Sequence, residues 1–170
     1  MKRMIAGALA LMLLACLIGC GNTKDGPSGG NPTQNPVAQF NGEKIELKSE
    51  TSFRDLHFRM NYDIMHKDTM GSVCQVTVLK DGDVACEIFF VYYEGKTVAD
   101  VMSESPDVVL TEKTIGDQVW STFPFETNGM TGHTYVASFG GSSYTVSFRS
   151  PYDTSSLEDA LMKTVRFAEE

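Results

Sequence analysis

Histidine and cysteine are both scarce in this 170-residue chain, with three and four copies. No His-x-x-x-His or Cys-x-x-Cys spacing occurs, so a structural zinc site is not indicated. Four cysteines are too few for a disulfide-scaffolded miniprotein. Basic residues are also few, 14 Lys and Arg against 22 Asp and Glu, for a formal net charge of -8. An acidic chain repels phosphate backbones, and nucleic acid is not expected as a partner. The longest uncharged apolar run, Met4 to Gly19, has 16 residues. As a helix it reaches only ~24 Å, short of a ~30 Å hydrocarbon core. What is present is globular composition, with 42% hydrophobic and 21% charged residues.

The short run has an address. Lys2-Arg3 precedes it and small residues close it, as in a secretory signal. Leu17-Ile18-Gly19-Cys20 resembles the lipobox of bacterial lipoproteins. The resemblance implies that residues 1–19 are a signal peptide recognised through Leu17, Ile18 and Gly19. It also implies a covalent diacylglyceryl group on the Cys20 thiol. Leu13-Leu14-Ala15-Cys16 is a poorer second candidate, because it strands Leu17-Ile18 on the mature chain. An ordinary signal peptide with a chance cysteine is the remaining alternative. Two or more acyl chains hold a protein firmly, at ~0.8 kcal/mol per buried methylene. Removal of Lys2 and Arg3 with the signal leaves 12 basic against 22 acidic residues, a net charge of -10. Such a domain gains nothing from an anionic leaflet, so the lipid must supply attachment.

Residues 20–36 are the lipidated cysteine and a tether rich in Gly, Pro and Asn. Sixteen such residues span roughly 22 Å on average. Residues 37–170 are expected to form one domain. Alternation predicts strands around Lys44–Leu47, Leu56–Tyr62, Cys74–Leu79, Val84–Tyr93, Val108–Ile115, Gln118–Phe125, His133–Phe139 and Ser142–Arg149. Asp81-Gly82, Gly116-Asp117 and Gly140-Gly141 are the hairpin turns between them. Thr97 with Asp100 predicts a capped short helix through about Glu104, stopped by Pro106. Thr154 or Ser155 starts a last helix with Leu157, Ala160, Leu161, Thr164 and Val165 on one face. The expected fold is α+β: six or seven antiparallel strands with a short middle helix and a long C-terminal helix.

The last third resembles the PsbP-like fold. The similarity lies in Thr134–Phe139, the tight turn, Tyr144–Phe148, and a closing helix that ends Val165-Arg166-Phe167. It implies a non-catalytic assembly or binding module and transfers no functional residue.

Candidate sites are few. A Gly-Gly turn sets Phe139 opposite Ser142, Ala137 opposite Tyr144, Tyr135 opposite Val146 and His133 opposite Phe148. His133 then lies at the far end from Ser142 and Ser143, which sit in no Gly-x-Ser-x-Gly elbow. In the hairpin before it, Val78 faces Cys86, Val76 faces Ile88 and Cys74 faces Phe90. The cysteines are then roughly 13 Å apart, too far for a disulfide. Cys74 and Cys86 are expected free and buried; a bridge would need another register. Met65–Met70, with His66, carries soft copper-type ligands but reads as a plain loop. Glu158-Asp159 and Glu169-Glu170 read as solvated, and Asp81–Asp83 as a turn rather than a calcium loop. Trp120 and Phe89–Tyr93 read as core, with the latter strand covered on both faces; Phe123 and Phe125 read as core, with partial exposure and docking the alternative.

No metal and no cofactor other than the lipid is expected, and no enzyme activity. The sequence reads as a lipoprotein on the extracytoplasmic face of the cell membrane. Its expected role is a binding or assembly module with an envelope protein partner. A small-ligand receptor and a hydrolase are the alternatives.

Overall fold

Period-two alternation dominates the chain, and most of it becomes strand. The computed structural model describes residues 34–103, 105 and 107–168. The signal segment with Leu17, Ile18, Gly19 and Cys20, the tether up to residue 33, Glu104, Pro106 and Glu169-Glu170 lie outside the described residues.

In chain order the first strands are β1 (Val37–Phe40), β2 (Glu43–Glu46), β3 (Ser49–Phe53), β4 (Leu56–Met60) and β5 (Met65–Met70). The long strands β6 (Val73–Lys80) and β7 (Asp83–Tyr93) precede the helix α1 (Val98–Met102). Then come β8 (Thr111–Ile115), β9 (Gln118–Thr127), β10 (Met130–Phe139), β11 (Ser142–Arg149), α2 (Ser155–Met162) and β12 (Arg166–Phe167). One seven-stranded sheet has the order β5-β6-β7-β11-β10-β9-β8; a three-stranded sheet has β12-β4-β3, and β1 pairs with β2. All pairings are antiparallel.

The core lies between one face of the large sheet and the smaller elements. Phe58 of β4 stacks on Phe90 of β7 with centroids 4.2 Å apart. Leu157 and Leu161 of α2 are buried in the same cluster. Phe139, Phe167 and Trp120 stack in series, at 4.5 and 6.0 Å, beside β12.

An α+β fold with a long C-terminal helix is not what forms. The main sheet has seven strands, but five further strands surround it, and the helices span only 5 and 8 residues. The PsbP-like arrangement fails with the long helix. Thr164 ends α2 by an alternative set of hydrogen bonds. Its hydroxyl donates to Leu161 O at 2.7 Å and accepts from the Arg59 amide at 3.0 Å. Arg166 and Phe167 then pair with His57 and Leu56. Backbone partners on β4 outcompete another helical turn, so Thr164 and Val165 leave the helical stripe.

Other expectations shift locally. Residues 65–70 form an edge strand rather than a loop, with Met65 buried and Met70 77% exposed. Alternate residues point to opposite faces, so Met65, His66 and Met70 make no common ligand set. Residues 108–110 stay outside β8. The second face of β7 is half-buried rather than covered: Phe89 and Val91 lie there, and Arg149 caps Phe89 and Phe125 at 4.8 and 5.4 Å. α1 begins with a full capping box between Thr97 and Asp100.

The two sequence-derived registers recur. Val78 pairs with Cys86, Val76 with Ile88 and Cys74 with Phe90; Phe139 pairs with Ser142 and Tyr135 with Val146. Both thiols are buried and free. Burial raises the Cys74 pKa and pushes Cys86 up to about 12. An unfolded thiol ionises near 9.0, so the raised folded value protects stability below that pH. Stability is then lost as pH rises from about 9 towards 12. Urea midpoints at rising pH should fall over that window, and Cys86→Ala should flatten the fall. Neither thiol should react with a thiol reagent at pH ~8 until the domain unfolds.

Candidate functional site

The first turn of α2 builds the most unusual polar cluster. Asp153 Oδ1 accepts the Ser155 amide at 2.9 Å and its hydroxyl at 2.6 Å, which satisfies the helix start. Thr154 is thereby free to donate its hydroxyl to Glu158 Oε1 at 2.5 Å. Glu158 follows Leu157 and precedes Leu161 by three, so it falls at the edge of the buried stripe. It is 2% exposed, a correction to its reading as a solvated helix face. Asp159, one residue on, points outward and pairs with Lys113 at 3.0 Å. That exposed pair contributes under about 1 kcal/mol.

His133 and Tyr135 sit two apart on β10, hence on one face. Both reach Glu158 Oε2. The Tyr135 hydroxyl donates at 3.0 Å, and His133 Nδ1 lies at 3.0 Å. A carboxylate only accepts, so His133 carries its proton on Nδ1 toward Glu158, which leaves Nε2 for solvent or ligand. The His133 side chain is 45% exposed and that of Glu158 only 3%. One buried carboxylate thus collects three donors and locks α2 to β10. Burial raises the Tyr135 pKa, and the negative charge of Glu158 adds to the rise. Tyr135→Phe removes one donor without emptying the site. It should cost about 1 kcal/mol, read as a small drop in urea midpoint with an unchanged near-native fold.

A cleft of about 400 Å³ opens over this cluster, between α2 and the strands β8, β9 and β10. Lys113, Thr122, Phe123, His133, Glu158 and Asp159 are among its walls. A second hollow of about 350 Å³ continues past His133 to Gly132 and Thr154. Two buried polar atoms on the same face of β9, Trp120 Nε1 and Thr122 Oγ1, have no hydrogen-bond partner among the described residues. Buried polar atoms of this kind are normally satisfied by water or a ligand.

No protein-family model and no curated protein matches the chain. A fold likeness does exist. A 1.50 Å crystal structure of a protein from Bacteroides thetaiotaomicron VPI-5482 superposes with a TM-score of 0.50 at 15% identity. The match covers 68% of this chain and 46% of that one, so this chain spans less than half of its neighbour. At such identity the likeness concerns the fold alone.

The remaining sequence candidates scatter. His57, His66 and His133 stand on β4, β5 and β10. Ser142 Oγ lies 3.1 Å from the Tyr92 hydroxyl and accepts the Gly95 amide at 3.1 Å. The Ser143 hydroxyl donates to Lys96 O at 2.8 Å. Both serines therefore tie down the strand that leads to α1. Asp81-Gly82 forms a tight turn between β6 and β7, with both residues at positive φ. Phe123 and Phe125 are half-buried, and Trp120 is core. Among the described residues no three His, Cys, Asp or Glu gather as a metal site. The sequence reading missed Glu158, although His133 and Tyr135 on an otherwise apolar strand face signalled a missing acceptor.

Proposed function

We propose that this chain is an exported lipoprotein, held to the outer side of a membrane by a diacylglyceryl group on Cys20. Its β-rich domain is a non-catalytic binding module of the cell envelope, and the cleft over Glu158 is its binding site. The observation that carries the choice of site is a buried carboxylate shared by His133, Tyr135 and Thr154 beneath an open, polar cleft. His133 and Glu158 have the form of a base and its orienter. The nearby Ser155 hydroxyl, however, is committed to Asp153. The arrangement therefore favours holding a ligand over attacking one. The cleft favours a ligand-binding role over docking by a flat surface.

Photo-crosslinking of the full-length lipidated protein in living cells tests this. A photoreactive side chain goes at Thr111, beside the cleft, or at Met70 on the opposite edge strand. A recurrent adduct from position 111 only, lost with Cys20→Ala, is the expected result. Equal adducts from both positions, or none from 111, would overturn the assignment.

A further inference from the structure

Resting on that binding reading, we infer that the cleft takes a neutral polyhydroxylated ligand, one or two saccharide units. The charged side chains in the wall already answer one another. Glu158 is satisfied by His133, Tyr135 and Thr154, and Asp159 by Lys113. A charged ligand would have to break one of these pairs and leave a partner uncompensated. The net charge of -8 adds a general penalty for anions. An apolar ligand fits no better, because hydroxyl, imidazole and carboxylate groups dominate the walls.

What the wall still offers is a mixture. Thr111 and Thr122 hydroxyls both give and accept; His133 Nε2 accepts; Lys113 has N–H groups beyond its pair; Asp159 has a second oxygen. A sugar hydroxyl also gives and accepts, so it can answer such a mixture without net charge. Phe123 and Pro124 supply flat apolar surface for the C–H face of a ring. The unpartnered Thr122 hydroxyl marks where a hydrogen bond is missing. The two joined hollows, about 400 and 350 Å³, are each within the size range of small-molecule sites.

The test is an amide NMR titration of residues 20–170 carrying Cys20→Ser, which keeps the chain in solution. The probes are glucose, galactose, N-acetylglucosamine and their β-linked dimers, up to about 50 mM, a range that reveals Kd values in the millimolar class. Acetate, inorganic phosphate and a trialanine peptide run in parallel. The expected result is saturable shifts confined to β8, β9, β10 and the first turn of α2 with at least one saccharide. Thr122→Val separates binding from stability. It deletes an unsatisfied buried hydroxyl, so the urea midpoint should hold or rise, while saccharide affinity should fall by about 3- to 10-fold. Cleft shifts with acetate, phosphate or peptide but with no saccharide would overturn the saccharide class and leave the binding reading standing. Silence from every probe would overturn the saccharide class and count against the binding site itself. Unchanged saccharide affinity in Thr122→Val would overturn the assigned contact.

Discussion

Glu158→Ala should lower the stability of the domain by about 3–4 kcal/mol, the scale for removing one partner of a buried polar network. The domain is of intermediate size, so the melting temperature should fall by roughly 10 °C or more. Three donors lose their acceptor at once: the Thr154 and Tyr135 hydroxyls and His133 Nδ1–H. Tyr135 and Thr154 are themselves buried, so water does not freely replace the carboxylate. Glu158→Gln keeps the shape and one acceptor oxygen, and its loss should be about half as large. Thermal unfolding followed by circular dichroism reads both. Equal stability of wild type and Glu158→Ala would mean that the carboxylate does not lock α2 to β10.

Gly132→Ala should be at least as damaging, by about 3–5 kcal/mol, the range reserved for steric conflict with fixed backbone. Gly132 pairs with Phe125 and has φ +155°. A Cβ there would stand 2.1 Å from the carbonyl oxygen of Phe148 and 2.8 Å from its carbonyl carbon. Both atoms are backbone of the neighbouring β11, so relief requires the strand pair to open. Any such opening would also displace His133, the next residue, from Glu158. Gly140→Ala is the control. Its φ is +57° and nothing lies within 4 Å of the added carbon, so only αL strain of about 1 kcal/mol is expected. Similar losses for the two variants would refute the close-approach argument.

The hairpins were the most legible part of the fold. Gly140-Gly141 and Asp81-Gly82 impose two-residue turns, and alternation then leaves one register that puts apolar side chains on one face. Asn128-Gly129 is an equally strong turn signal, and it joins β9 to β10. Short strands were harder to read. Ser49–Phe53 has one fully buried residue, Phe53, so alternation carries little information there. The C-terminal error was different in kind. Leu157, Ala160, Leu161, Thr164 and Val165 do fit a helical stripe. The bond from the Arg59 amide to Thr164, 105 residues away in sequence, decides against the last turn.

The site was half legible. His133 and Tyr135 share a strand face with Ala137 and Phe139, where a polar pair calls for a partner. That partner lies 25 and 23 residues downstream. Beside Asp159, Glu158 has nothing local to distinguish it from a solvated acid. Its burial follows from α2 settling on β10, a tertiary event outside the helix's own sequence.

Everything proposed for the cleft presumes a domain held outside a membrane by lipid on Cys20. The most direct measurement is the mass of the N-terminal peptide of the full-length protein, expressed in bacteria and recovered from the membrane fraction. The account predicts a peptide that begins at Cys20 and bears a diacylglyceryl group, and loss of both the modification and the membrane fraction in Cys20→Ala. A chain that begins elsewhere, or an unmodified Cys20, would contradict it.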